Sequence, residues 1–139
     1  MKIYCCGCER DVDASLVTGA EIYPSRADLS RLPFWQCECG CYVGCHHKSR
    51  FKKDRTKPLG CIPTPELRKA RGEIHKILDP IWKRGLSGRG SLYRLINSRL
   101  GYEYHTAEIR SIDEARKIYR IVRSIREELI AAEGDPDPG

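Results

Sequence analysis

The chain has 139 residues, 8 of them cysteine, and a formal net charge of +6. This length fits one domain or two small ones. No apolar run approaches the roughly 20 residues that span a bilayer, and the first residues lack the apolar stretch of a secretion signal. We therefore expect a cytoplasmic protein with no membrane partner, in which close cysteine pairs bind metal rather than form disulfides.

Two close cysteine pairs predict a zinc site. The first pair, Cys5 and Cys8, forms a C-x-x-C, and the second, Cys37 and Cys39, forms a C-x-C. Two such pairs match one tetrahedral Zn²⁺ ion held by four thiolates, with one pair on each side of the ion. We predict one structural Zn²⁺ ion with these ligands: Cys5, Cys8, Cys37 and Cys39.

The remaining cysteines leave alternatives open. Cys41 could replace Cys39 as a ligand, which would give a C-x-x-x-C with Cys37. A second metal ion could use four further donors: Cys41, Cys45, His46 and His47. Alternatively, Cys45 and Cys61 are simply small buried apolar side chains.

The first third of the chain has the composition of a zinc ribbon. Strand-forming residues occupy 20–23 and 34–36, turn formers lie between them, and 42–43 could add a third strand. A module this small has little apolar surface for a core, so the metal would supply much of its folding free energy. We predict a zinc-ribbon module over residues 1–46.

Residues 47–62 are predicted to form a basic loop or linker that stays mobile until it meets an anion. Its cationic side chains are Lys48, Arg50, Lys52, Lys53, Arg55 and Lys57. Residues 46–57 carry 6 basic groups and 1 acidic group, a net charge of +5, whereas residues 1–45 carry 4 and 6, a net charge of −2. Charge concentrated in this way indicates a nucleic-acid partner, and Phe51 could stack on an unpaired base.

Residues 63–132 are predicted to be helical and packed on the ribbon. Thr64 and Pro65 mark a helix start, and this helix should end near Asp79 because Pro80 disfavours helical geometry in the preceding residue. The predicted fold class is therefore α+β: a small N-terminal zinc ribbon of two or three short strands, followed by a three-helix C-terminal part.

Two further helices and a tail follow. The second helix should cover 91–100 and end at Gly101, which can adopt the left-handed conformation. The third should begin at the capping box 111–114 and present apolar residues at helical spacing. Residues 133–139 are expected to be disordered.

A polar stripe borders the apolar face of the first predicted helix. It comprises Arg68, Arg71, His75, Asp79 and Trp82. These side chains could fasten the helix to the zinc module, for instance through Arg71 to Asp28 and His75 to Asp79. They could instead bind phosphate through Arg68 and Arg71, or transfer protons.

Several motifs occur together over about residues 4–125. They read Tyr4-Cys5-x-x-Cys8, Ile22-Tyr23-Pro24-x-Arg26-x-Asp28-Leu29, Tyr42-Val43-Gly44-x-His46 and Leu67-Arg68-x-Ala70-Arg71-x-x-x-His75-x-x-x-Asp79-Pro80-x-Trp82. In this combination the chain resembles a family found in phages and prophages, described as zinc-finger-containing and without an assigned activity. The second cysteine pair looks like C-x-x-C in that family and is C-x-C here. The resemblance implies zinc binding and a role for the polar stripe, and it implies no particular reaction.

Three functions compete at this point. The first is a nucleic-acid-binding accessory protein that sets the loop cations, Arg68 and Arg71 against phosphates. The second is a phage factor that binds a host protein of nucleic-acid processing or defence. The third is nuclease-like chemistry with His46, His75 and Asp79, which lacks a recognised metal-dependent catalytic motif. The position of the positive charge favours the first, and the sequence favours a non-enzymatic role.

Overall fold

The computed structural model of the chain describes residues 1–134 and divides into two compact units. The first unit spans Met1–Arg68, and the second begins at Lys69. Short antiparallel strands come first and helices follow, with the cysteine cluster near the N-terminus. The predicted fold class, α+β with a small zinc ribbon ahead of a helical part, is confirmed.

A hairpin formed by β1 (Lys2–Cys5) and β2 (Arg10–Asp13) opens the first unit. The two strands pair antiparallel, with Ile3 opposite Val12, and both of these side chains are buried. The first cysteine pair lies at the tip of the hairpin, with Cys5 at the end of β1 and Cys8 in the turn. Neither strand was predicted from the sequence, although a C-x-x-C knuckle is itself a tight turn whose flanking residues can pair as strands.

A second sheet carries the other cysteine pair. It consists of β3 (Ser15–Thr18), β4 (Pro33–Gln36) and β5 (Tyr42–Gly44), in that order and antiparallel. The predictions at 34–36 and 42–43 are confirmed, whereas β3 was not predicted. Because the second cysteine pair lies in the turn from β4 to β5, zinc binding and the pairing of these two strands occur at the same place.

The strand predicted over 20–23 is wrong, because this segment forms the short helix α1 (Gly19–Ile22). The Gly19 amide donates to the Leu32 carbonyl at 2.8 Å, and the Tyr23 amide donates to the Gly19 carbonyl at 2.7 Å. A Cβ atom at Gly19 would lie 1.7 Å from the carbonyl oxygen of Leu29. This close approach between distant segments overrides the local strand preference of isoleucine and tyrosine.

The core of the first unit is small and includes two of the predicted ligands. Its buried members are Ile3, Cys5, Val12, Ala14, Cys37, Val43 and Ile62. Ile62 joins this core because its amide donates to the Tyr4 carbonyl and its carbonyl accepts from the Cys6 amide, both at 2.8 Å. The metal site is therefore part of the core rather than an addition to it.

Three helices follow: α2 (Pro65–Lys83), α3 (Arg89–Leu100) and α4 (Ile112–Gly134). The predicted start of α2 is confirmed, because the Leu67 amide donates to the Thr64 hydroxyl at 3.1 Å. The predicted end of α3 is confirmed by Gly101, whose φ of 89° is left-handed. None of the helices described in residues 1–134 is long and apolar enough to cross a membrane.

The predicted end of the first long helix near Asp79 is wrong, since α2 continues through Pro80 to Lys83. A proline inside a helix removes one hydrogen bond and costs about 3 kcal/mol. Continuing the helix keeps Ile81 on the apolar face beside Leu78, and both side chains are completely buried. Burying one such side chain contributes about 1.5–3 kcal/mol, which offsets much of that cost.

The predicted disordered tail begins too early. Glu133 and Gly134 belong to α4, and 135–139 lie outside the described residues. The apolar face predicted for α4 is present, since Ala115, Ile118 and Val122 are buried. The last helix therefore continues to the end of the described chain.

Candidate functional site

Four cysteine sulfurs converge at the tips of the two hairpin turns. The Sγ atoms of Cys5, Cys8, Cys37 and Cys39 all lie within 4.8 Å of one another. The Cys5–Cys39 and Cys8–Cys37 sulfur pairs are each 3.7 Å apart. A tetrahedral ion with Zn–S bonds of about 2.3 Å has sulfur–sulfur edges of about 3.8 Å. The thiols therefore fit Zn²⁺, and the prediction of one structural zinc site is confirmed.

Backbone amides in both turns support the sulfurs. The amides of Gly7 and Cys8 donate to the sulfur of Cys5, and the Cys41 amide donates to the sulfur of Cys39. Gly40 makes the second turn possible with a left-handed φ of 96°. Such hydrogen bonds favour the thiolate, and the bond from the Cys41 amide is the main cause that lowers the pKa of Cys39 to about 7.

The crowded thiols need a cation before all of them can be ionised. Hydrogen bonds with Cys37 and then Cys39 raise the pKa of Cys8 to about 12. Ligation by Zn²⁺ requires thiolates, so metal binding releases protons from this group. All four positions are used to hold the ion, which leaves no open coordination position for substrate and makes the site structural.

Cys41 lies beside this group without belonging to it. A Cβ atom on Gly7 would be 3.1 Å from the Cys41 sulfur and 3.7 Å from the Cys39 sulfur, so the two thiols are neighbours. Burial is the main cause that raises the pKa of Cys41 to about 12. The geometry assigns the fourth position to Cys39 and leaves Cys41 as an adjacent thiol.

A second metal site is not formed in the described part of the chain, where the four-cysteine group alone brings together three or more metal-binding side chains. Cys45 and Cys61 are buried, at 2% and 3% exposure. Cys61 lies in the interior with its sulfur 3.8 Å from that of Cys6. The apolar interpretation of Cys45 and Cys61 is the one that the structure supports.

The basic segment, defined here as residues 46–57, is a loop whose two ends lie side by side next to the second sheet. At its base the His46 amide donates to the Lys57 carbonyl at 2.9 Å, and the Leu59 amide donates to the Gly44 carbonyl at 3.0 Å. The indole of Trp35, on β4, donates to the Thr56 carbonyl at 2.6 Å. A single 3₁₀ turn occupies its middle. The segment is thus anchored at its ends, and its mobility stays a prediction.

The cations of the basic segment face solvent. Its six lysines and arginines are all exposed, and none forms an ion pair within residues 1–134. The guanidinium of Arg50 lies 4.8 Å from the ring centre of Phe51, which is itself 51% exposed. The segment therefore presents uncompensated positive charge beside an exposed aromatic ring.

An aromatic cluster, which was not predicted from the sequence, lies beside the second knuckle. The rings of Tyr23, Phe34 and Tyr42 meet edge to face, with centres 5.6–5.9 Å apart. The guanidinium of Arg68 stacks on Tyr42 at 3.9 Å from the ring centre and donates to the Tyr42 carbonyl. A cavity of about 400 Å³ is lined by Tyr42, Arg68 and Pro63. Tyr23 and Tyr42 both occur in the motifs quoted above, and that was the available signal.

Arg71 does not have the surroundings of a phosphate-binding residue. Its side chain is only 8% exposed, and its Nε and Nη2 atoms both donate to the Ile109 carbonyl, Nε at 3.2 Å. Arg71 therefore fastens α2 to the segment that precedes α4. Asp28, the partner predicted for Arg71, pairs with Arg26 at 2.8 Å, and a contact between Asp28 and Arg71 stays a prediction.

The rest of the stripe forms no recognisable catalytic group. The predicted pair of His75 and Asp79 is present at 3.5 Å between Nδ1 and Oδ1. Within residues 1–134 no further metal-binding side chain gathers with these two. The indole nitrogen of Trp82 is buried without a hydrogen-bond partner among the described residues. His46 is an exposed residue of the first unit, and nuclease-like chemistry stays an untested hypothesis.

No curated protein and no solved structure matches the chain significantly. The model of the zinc-finger-containing domain family matches residues 1–128, which is nearly the whole chain and includes both cysteine pairs. That match agrees with the tetrahedral group of thiols found in the first unit. The chain therefore belongs to the zinc-finger-containing domain family.

Proposed function

We propose that this protein binds nucleic acid through its basic segment, and that zinc holds the scaffold of that segment in place. The observation that carries the proposal is the exposure of six cations on 46–57 without an ion pair in the described chain. Uncompensated cations on an anchored segment fit the regular negative charge of a phosphate backbone.

The zinc site supports this function through the strand order. The second knuckle joins β4 to β5, β5 leads directly into the basic segment, and Trp35 on β4 holds the far end through Thr56. Loss of the metal would release both attachments together. The proposed role of Zn²⁺ is thus to position the cations, with no part in any reaction.

Fluorescence anisotropy with a labelled oligonucleotide tests the proposal. The variant Lys52→Glu/Lys53→Glu is compared with Lys2→Glu/Arg31→Glu, which makes the same charge change at exposed positions outside the segment. We expect the segment variant to weaken binding to all sequences alike, since phosphate contacts position a protein without reading bases. Each lost contact should lower the log–log salt slope by roughly 0.7–0.9.

Equal losses in the two double variants would show that net charge, and not the basic segment, governs the affinity. An absence of binding even at low salt would reject nucleic acid as the partner. A protein partner would then be the leading hypothesis, and the phage setting implied by the sequence resemblance would direct the search toward host proteins. Zinc content and melting temperature must be equal in all variants for the comparison to hold.

A further inference from the structure

We infer that the cavity beside the second knuckle receives an unpaired nucleobase, so that single strands are the preferred form of nucleic acid. This inference rests on the proposed function and specifies its ligand. The cavity measures about 400 Å³ and is lined by Tyr42, Arg68 and Pro63, among others. Small-ligand sites commonly measure about 300–1,000 Å³, so a single planar ring system is a suitable occupant.

Arg68 supplies the chemistry that a base and its phosphate require. Its guanidinium already lies over the ring of Tyr42, at 3.9 Å from the ring centre, and no carboxylate within residues 1–134 pairs with it. A guanidinium carries five N–H donors, and the bond to the Tyr42 carbonyl uses one nitrogen. The half-buried cation can therefore stack on a base and donate to its phosphate.

Tyr42 is fixed before any ligand arrives. Its ring meets Tyr23 and Phe34 edge to face, and its hydroxyl is hydrogen-bonded to that of Tyr23. A site that is rigid in advance loses little conformational freedom on binding. The stack of Tyr42 and Arg68 is thus a preformed platform rather than a flexible surface pair.

The cavity and the basic segment are adjacent along the chain. Side chains two residues apart on a strand lie on the same face, so Tyr42 shares its face of β5 with Gly44. The side chain of Leu59, two residues beyond the basic segment, lies 3.5 Å from where a Cβ atom on Gly44 would be. A strand whose phosphates lie on the segment could insert one base beside Arg68. A paired base cannot enter in this way, since its faces are covered by its neighbours.

The test compares Arg68→Lys with the parent protein on a single strand and on a duplex of the same length. Lysine keeps the charge but loses the planar, stacking guanidinium. We expect single-strand affinity to fall about tenfold, within the range for one stacked base, while duplex affinity and both salt slopes stay the same. The control Lys52→Ala should weaken both forms equally and lower both slopes by roughly 0.7–0.9.

NMR provides an independent readout at the cavity. Adding the single strand should shift the ring protons of Tyr42 in the parent and not in Arg68→Lys, and adding the duplex should shift them in neither. If Arg68→Lys weakens both forms alike, or neither, the inference is wrong and the proposed function stands. If the parent binds neither form, both are wrong. Equal zinc content and melting temperature in the two proteins separate these outcomes from a folding defect.

Discussion

The two units of this chain draw their stability from different sources. The first packs a small core around the zinc cysteines, with Ile3, Val12, Val43 and Ile62 as its larger members. The second buries long aliphatic side chains of three helices: Ile74, Leu78, Ile81, Leu92, Ile96, Ile118, Val122 and Ile125. A unit that buries so little apolar surface needs a metal to fold. The second unit buries a larger set of aliphatic side chains, so its core does not depend on a metal. Metal dependence is therefore local to one half of the chain.

The same contrast extends to surface charge and function. The first unit contains the anchored basic segment, the Arg68–Tyr42 platform and the zinc site, all within Met1–Arg68. In the second unit the buried stripe residue, Arg71, serves the fold. The region that depends on metal is thus also the region that carries the proposed function, so zinc availability would control both together.

Zinc removal should have the largest effect and should act on the first unit. Structural zinc contributes on the order of 10–16 kcal/mol in zinc-finger peptides, so a chelator or Cys5→Ser should unfold this unit. The chain has 2 tryptophans, Trp35 in the first unit and Trp82 in the second. Fluorescence of Trp82→Phe reports the first unit and that of Trp35→Phe the second. We expect chelation to alter only the Trp35 signal.

Elemental analysis should also give about one zinc per chain, since four thiolates complete one tetrahedral site. A Trp82 signal that follows zinc as closely as the Trp35 signal would contradict local metal dependence. A metal-free protein that keeps its melting temperature and its near-ultraviolet spectrum would show that the site is not structural.

Substitution of Cys39 and of Cys41 tests which of these two neighbouring thiols is the fourth zinc ligand. Cys39→Ser removes a ligand, and we expect a loss of zinc affinity beyond the 10–100-fold typical of residues that only support a ligand. Cys41→Ser should retain nearly the parent affinity. Competition with a chromophoric chelator measures both, and the charge-transfer absorption of the Co²⁺-substituted protein counts the thiolates. Full affinity in Cys39→Ser together with loss in Cys41→Ser would exchange the two assignments.

Some features could be predicted from sequence because they depend on a few residues with specific chemistry. The zinc ligands require paired thiols, the start of α2 requires the Thr64 hydroxyl, and the end of α3 requires a left-handed residue at Gly101. The predictions at 20–23 and at Pro80 failed where distant contacts decide the outcome. The backbone of Gly19 lies directly against the carbonyl of Leu29, which favours a helical turn there. Burial of Ile81 stabilises the continuation of α2 beyond Pro80.

In the candidate site, too, local features could be predicted from the sequence and features that depend on distant contacts could not. Its exposed cations are a local property of composition and were predicted. Their anchoring by Trp35 and the cavity beside Tyr42 depend on how β4 pairs with β5, where Trp35 lies opposite Val43 and Gln36 opposite Tyr42. Strand register is set by packing and by the knuckle between the strands, which composition does not specify.

Arg71 tests whether the polar stripe serves the fold of the second unit. Arg71→Ala removes a charged donor from the buried Ile109 carbonyl, so we expect a loss of about 1–3 kcal/mol in stability. Zinc content and oligonucleotide affinity should stay at parent values. His75→Ala, an exposed change on the same helix, is the control and should cost less. An unchanged melting temperature with reduced binding would assign Arg71 to the ligand instead.

The smallest expected effect concerns the exposed ion pair between α3 and α4. The Nη1 atom of Arg99 lies 3.3 Å from Glu128, and hydrogen bonding to Arg99 lowers the pKa of Glu128. A carboxylate whose pKa is lowered by folding stabilises the folded state above the pKa of the unfolded chain. That contribution is lost as pH falls through the folded pKa. Glu128→Gln should therefore melt slightly below the parent at pH 7.

The difference between Glu128→Gln and the parent should shrink below about pH 4, near the ordinary pKa of glutamate. Added salt should shrink it as well, because both side chains are exposed and solvent ions screen the pair. Melting is followed through Trp82, since acid also displaces zinc from the first unit. Glu127→Gln is the matched control, because it removes the same charge from the neighbouring residue, whose contact with Arg123 is longer at 4.0 Å. A gap that keeps its pH 7 size far below the ordinary pKa of glutamate, at about pH 2, would have to come from packing and not from charge.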